Sequence, residues 1–194
     1  MTVPTTEPFR VALIGNPNAG KTTVFNALCG ARQQTGNYAG VTVEKKTGRL
    51  RGHENVEIID LPGTYSLKPK SADEEITERV LTGHAGHERV PDLNLVVLDA
   101  GNLKRSLYLA LQLKEIGRPT IAVLTMRDIA ARRCYTCDLA ALEKALGLKV
   151  VEVTMATREH IAVLAEAIVS GRPQATQAKP AGLAGVEQIY AAID

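Results

Sequence analysis

Short apolar runs alternate along this chain with stripes of apolar residues at helical spacing. Val11, Ala12, Leu13 and Ile14 follow one another within residues 9–14, which predicts a buried strand. Val24, Phe25 and Leu28 then recur at the spacing of a helix over residues 23–29. Residues 41–51 alternate loosely and Val56-Glu57-Ile58-Ile59 runs into Asp60, so these stretches predict a strand pair turning at residues 52–55. Before that pair, residues 33–40 carry Gly36, Asn37 and Gly40 and are too polar and irregular to predict an element. Ser71 ahead of Asp73, Glu74 and Glu75 reads as a capped helix start with carboxylates in its first turn. Further strands are predicted at 93–98, 120–124 and 150–153, and helices at 103–116, 139–146 and 161–169, closed by Gly117, Gly147 and Gly171. Alternating strands and helices predict an α/β fold, a mostly parallel six-stranded sheet with one antiparallel edge strand and helices on both faces.

The ends of the chain differ in character. Residues 1–8, with two prolines and three threonines, read as a loose leader. Residues 172–185, with two prolines and two glycines, read as a linker. Val186, Ile189, Tyr190 and Ile193 then begin an amphipathic helix whose apolar stripe finds no partner within the remaining residues. The expected organisation is one domain over 1–171, with 172–194 a linker and the start of a further helical domain that continues or docks elsewhere.

Composition narrows the function classes. The chain has 194 residues, 45% of them apolar, and a net charge of +2, which gives no reason to expect nucleic acid as a partner. No apolar stretch reaches the length of a membrane span and no signal peptide precedes Phe9, so the piece is expected to be soluble and cytoplasmic. Three cysteines, Cys29, Cys134 and Cys137, exclude a disulfide framework. The Cys134-Tyr135-Thr136-Cys137 pair has no second pair for zinc, and His84 and His87 have no third ligand nearby.

Chemistry concentrates in Gly15-Asn16-Pro17-Asn18-Ala19-Gly20-Lys21-Thr22, which fits G-x-x-x-x-G-K-[ST] between a predicted strand and a predicted helix. In that context the backbone N–H groups of the turn and the positive helix end point at an anion. Gly15 and Gly20 let the backbone close around phosphates, Lys21 sets a cation against them, and the Thr22 hydroxyl, ahead of Thr23, can ligate Mg²⁺. A nucleoside di- or triphosphate is the expected ligand. Asp60-Leu61-Pro62-Gly63, at the end of a strand some forty residues on, adds a carboxylate able to hold Mg²⁺ and, at Gly63, an N–H able to approach a γ-phosphate.

Together with Gly36-Asn37-Tyr38-Ala39-Gly40-Val41-Thr42-Val43-Glu44, Asp60-Leu61-Pro62-Gly63-Thr64-Tyr65-Ser66-Leu67 and Asp99-Ala100-Gly101-Asn102-Leu103, the cradle resembles the G domain of the FeoB ferrous-iron transporters. The resemblance runs from Arg10 to about Gly171 and implies a Ras-like P-loop GTPase fold binding GTP or GDP with Mg²⁺ and K⁺. In that family the G domain is the cytoplasmic part of a membrane protein, followed by a helical domain. The implied partners are therefore a guanine nucleotide and the helical and membrane transport domains of the same parent, with homo-oligomerisation left open. Thr42 would close on Mg²⁺ and the γ-phosphate beside Gly40 and Val41. Asn18 would hold an activating K⁺ with carbonyls near Gly36 and Tyr38, and Asp73 and Glu74 would stand behind the attacking water.

Thr64 follows Gly63 where Ras-type enzymes have a water-orienting Gln, and its short side chain cannot reach in the same way. Slow, K⁺-stimulated hydrolysis is therefore expected. The base-reading segments also depart from the family pattern. Thr125-Met126-Arg127-Asp128 keeps Asp128, able to accept from guanine N1 and N2, but has Thr125 in place of an asparagine. Met155-Ala156-Thr157 has Met155 where the family has a serine. Relaxed base selectivity and reduced affinity are expected. The rival readings are a nucleotide-gated binding module that hardly hydrolyses and a free-standing ribosome-associated GTPase.

Overall fold

The computed structural model describes residues 7–83, 88–154 and 157–171. The predicted linker and terminal helix, His84, His87, Met155 and Ala156 lie outside the described residues.

Among the described residues seven strands form one sheet in the order β2-β3-β4-β1-β5-β6-β7, one strand more than the apolar pattern predicts. They are β1 (Phe9–Gly15), β2 (Gln33–Asn37), β3 (Glu44–Leu50), β4 (His53–Asp60), β5 (Leu93–Asp99), β6 (Thr120–Thr125) and β7 (Lys149–Glu152). Strand β1 pairs in parallel with both β4 and β5, and β6 and β7 continue in parallel. Strand β3 runs against both of its neighbours, so the one reversed strand stands one place in from the edge. The extra strand corrects the reading of residues 33–40 as structureless. Strand β2 has no apolar residue and a glycine, so its pattern is silent, yet backbone pairing from Gln33↔Gly48 to Asn37↔Glu44 holds it.

Two cores sandwich the sheet. Val11 and Leu13 face one side with Val24, Phe25 and Leu28 of α1 (Lys21–Cys29). Ala12 and Ile14 face the other, with Ile76 and Val80 of α2 (Ala72–Thr82) and Leu107 and Leu113 of α3 (Leu103–Glu115). Ala130 of α4 (Arg127–Arg132) and Leu142 of α5 (Leu139–Leu146) complete that second layer, and α6 (Arg158–Ser170) packs Leu164 and Ile168 beside α1. Ser71 caps α2 as its sequence predicts, accepting from Glu74 N at 3.3 Å. Short helix α4 is not legible from periodicity, because six residues give too little of it. Among the described residues no helix is long and apolar enough to cross a membrane.

Candidate functional site

The parallel registers align Gly15, Asp60, Asp99, Thr125 and Glu152 along one rim of the sheet, the rim where strand order reverses around β1. The turn from β1 to α1 rises from this rim. Gly20 takes φ +85° as the cap of α1 and Asn18 takes φ +64°, both left-handed, which curls the turn's backbone inward. Pro17, Asn18, Thr22 and Thr23 are exposed, whereas Asn16 and Ala19 are buried. Asn16 therefore faces the protein, where its Nδ2 donates weakly to Ser106 Oγ at 3.5 Å and its Oδ1 has no partner among the described residues.

Lys21 Nζ is ion-paired with Asp60 Oδ1, and both side chains are largely shielded. Burial pushes the Asp60 carboxyl above the ordinary carboxylate value, while the charge and hydrogen bond of Lys21 pull it back down. Two charges that share a mouth of the site satisfy each other here, and each is a group that an anion and a divalent cation would recruit separately. Behind Asp60, Leu61 N donates to Leu13 O at 3.1 Å and Thr64 N to Gly15 O at 3.1 Å, which seats the strand-end loop on the cradle. Gly63 lies so close that a Cβ there would meet Pro17 atoms at 3.1–3.3 Å.

Glu74 organises the following loop. Its Oε1 accepts from Thr64 Oγ1 at 3.3 Å and Tyr65 N at 3.4 Å, and its Oε2 from Lys70 N at 2.8 Å. Asp73, by contrast, is exposed and makes no side-chain hydrogen bond among the described residues. Helix α3 clasps the same loop: Gln112 Oε1 accepts from Leu67 N at 2.8 Å and the Arg105 guanidinium lies 3.7 Å from the Tyr65 ring centroid. Thr77 Oγ1 adds a 3.0 Å bond to Pro62 O. These bracing residues carry no local sequence signal, because their partners are up to 45 positions away.

The β2–β3 turn stands at the same rim, since Lys46 is opposite Asp60 and Asn37 opposite Glu44. Gly36 lies within β2 opposite Lys45, and the Tyr38 carbonyl accepts from Val41 N at 3.2 Å. Gly40 takes φ +78° in this turn, and Gly40, Val41 and Thr42 are all exposed. In this conformation Gly36, Tyr38 and Thr42 belong to a hairpin rather than to a shell around the cradle. Tyr38 anchors that hairpin: its ring is buried in the α2–α3 core beneath Lys45, whose Nζ is 5.7 Å from the ring centroid, and its hydroxyl has no partner among the described residues.

A cavity of about 170 Å³ opens beside the cradle, between Gly20, Thr23 and Val24 on one side and Thr125, Met126, Asp128 and Val153 on the other. Asp128 is half-buried and its carboxylate is hydrogen-bonded to nothing among the described residues. Thr125 is buried, with its Oγ1 2.8 Å from Ala19 O and 3.0 Å from Leu98 O. One hydroxyl proton shared by those carbonyls ties the cradle to the rim and leaves no donor for a base. Thr157 caps α6, accepting from His160 N at 3.3 Å. A larger cavity of about 400 Å³, lined among others by Arg127, Tyr135 and Cys137, lies behind α4 and touches none of the cradle residues. The described residues contain no cluster of three metal-ligating side chains.

The family model of ferrous iron transport protein B matches residues 9–168. The chain belongs to the FeoB family. It is 47% identical over 162 residues to the Fe(2+) transport protein A/Fe(2+) transporter FeoB fusion protein of Porphyromonas gingivalis, covering 83% of this chain and 19% of that protein. The Fe(2+) transporter FeoB of Salmonella typhimurium is 46% identical over 164 residues, 81% of this chain and 20% of its own length. The chain thus spans about a fifth of the curated FeoB relatives it matches. Among solved structures, the cytosolic domain of the T. maritima FeoB iron transporter in GMPPNP form is 40% identical with a TM-score of 0.76, over 85% of this chain and 64% of that one. An S. thermophilus NFeoB mutant bound to mGDP is 33% identical with a TM-score of 0.80, over 95% and 68% respectively. The seven-stranded sheet with its reversed strand is the Ras-like G-domain architecture of these FeoB structures.

Proposed function

We propose that this chain is a GTP-binding and slowly GTP-hydrolysing domain, and that in its parent protein it regulates ferrous iron transport from the cytoplasmic face of the membrane. The observation that carries the reading is the shared rim: an anion-ready turn, the Lys21–Asp60 pair, and the uncommitted Asp128 carboxylate beside a base-sized cavity. The likeness to FeoB structures in GDP-bound and GMPPNP forms supports a guanine nucleotide as the ligand.

Phosphates entering the cradle would draw Lys21 away from Asp60 and free that carboxylate. Thr22 and Asp60 offer the hard oxygens that Mg²⁺ prefers, and Thr42 would join them once the β2–β3 turn closes. The ion would neutralise charge on the phosphate oxygens. The Gly63 N–H would face the γ-phosphate. Asn18 has an exposed amide oxygen suited to K⁺, and the carbonyls of Gly36 and Tyr38 would complete that shell only after leaving the hairpin. Glu74 already spends both carboxylate oxygens on the loop, so it would act by holding Thr64 and Tyr65 rather than by contacting water. Asp128 would accept from guanine N1 and N2, which adenine cannot match.

Single-turnover GTP hydrolysis in KCl and in NaCl tests this directly. Faster turnover in KCl, lost in Asn18→Gly, is expected; glycine keeps the left-handed backbone while removing the amide. Equal rates in the two salts would remove K⁺ from the reaction. No turnover in either would favour the binding-module reading.

A further inference from the structure

We infer that Glu152 is a positioning residue for base recognition, a brace between the two segments that flank the base cavity. This rests on the reading that Asp128 meets guanine. Asp128 sits in the first turn of α4, a helix of six residues whose cap, Met126, takes φ +58° and provides no side-chain hydrogen bond. So short a helix has little stability of its own. Thr125, just before it, spends its hydroxyl on Ala19 and Leu98. Something else must fix the angle at which Asp128 is presented.

Arg127 supplies the link. Its Nη1 is ion-paired with Glu152 Oε2, and its Nη2 donates to Cys137 O at 3.3 Å. The other carboxylate oxygen of Glu152 accepts from Thr154 Oγ1 at 2.9 Å. Thr154 is then held from the far side, its carbonyl 2.9 Å from His160 Nδ1, which must carry the proton to donate there. Both Glu152 oxygens are therefore committed, one to the residue beside Asp128 and one to the start of the loop after Val153, which lines the cavity. The pair is partly shielded, with side-chain exposures of 35% and 26%, where a charge-assisted bond retains more of its strength than on the open surface.

Calorimetric titration with GDP, IDP and ADP separates this role from general stability. IDP lacks the exocyclic amine of guanine but keeps N1–H, so the GDP-to-IDP ratio reads the N2 half of the Asp128 contact, and ADP, which lacks both donors, reads its absence. Glu152→Ala should lower GDP affinity about tenfold and narrow the GDP-to-IDP ratio, with ADP binding unmoved. Arg127→Gln, which breaks the pair from its other end, should act alike, and combining it with Glu152→Gln should cost no more than either alone. An unchanged ratio in both Glu152→Ala and Arg127→Gln, with the ratio collapsed in Asp128→Ala, would overturn the brace while leaving the base reader in place. A ratio unmoved by Asp128→Ala would instead overturn the reading on which it rests.

Discussion

At the scale of single residues, Thr125 carries more than its length suggests. Thr125→Val keeps the shape and deletes the hydroxyl that faces the Ala19 and Leu98 carbonyls. With buried acceptors left unmet, GDP affinity should fall about tenfold by calorimetry, and Thr125→Ser should restore it. Gly63→Ala makes the complementary point, since its Cβ would press on Pro17 at 3.1–3.3 Å. GDP should still bind, while single-turnover hydrolysis should drop by about tenfold or more as the loop lifts from the cradle. Motif spacing alone marks Thr125, Asp128 and Lys21 as residues of interest. It does not disclose that Thr125 turns to the cradle backbone, that Asn16 turns inward to Ser106, or that Glu74 braces a loop, because each depends on a partner distant in sequence.

Among the elements, β2 is where fold and local sequence pattern part company, whereas β3 lies within the predicted strand and packs closely on α1. Gly48 has Cys29 against it: a Cβ there would lie 2.6 Å from the Cys29 Sγ. Gly48→Ala should therefore cost about 1–3 kcal/mol in urea unfolding by prising β3 from α1. Tyr38 poses the opposite case, a buried ring with an unpartnered hydroxyl at the end of a strand that adds no other side chain to the core. Tyr38→Phe should stabilise the protein by about 1 kcal/mol, because the lone donor is removed and the packing kept. The central strands are legible since each is a continuous apolar run, and α1, α3, α5 and α6 since their stripes repeat. Strand β2 is hidden because an edge needs only backbone pairing, and α4 because it is shorter than two turns.

For the whole molecule, the two cores put the titrating burden on buried groups of the α1 side and of the β2 hairpin. Burial first, and then the charge of Asp60, push the Cys29 thiol up to about 12, with Arg51 opposing. An unfolded chain would ionise that thiol near its ordinary value of 9.0. Stability from this group is thus complete below the lower value and drains away as pH rises toward the upper one. The buried Tyr38 hydroxyl, also raised by burial, adds in the same direction. Urea midpoints at about pH 8 and about pH 10 should show the loss, and Cys29→Ala should reduce it. The central claim is that the turn between β1 and α1 wraps the phosphate tail of a guanine nucleotide. Calorimetric titration of GDP into Lys21→Ala, with circular dichroism verifying its fold, tests this most directly. A loss of affinity of about a hundredfold or more is predicted, and a folded variant that binds GDP as tightly as the parent chain would contradict it.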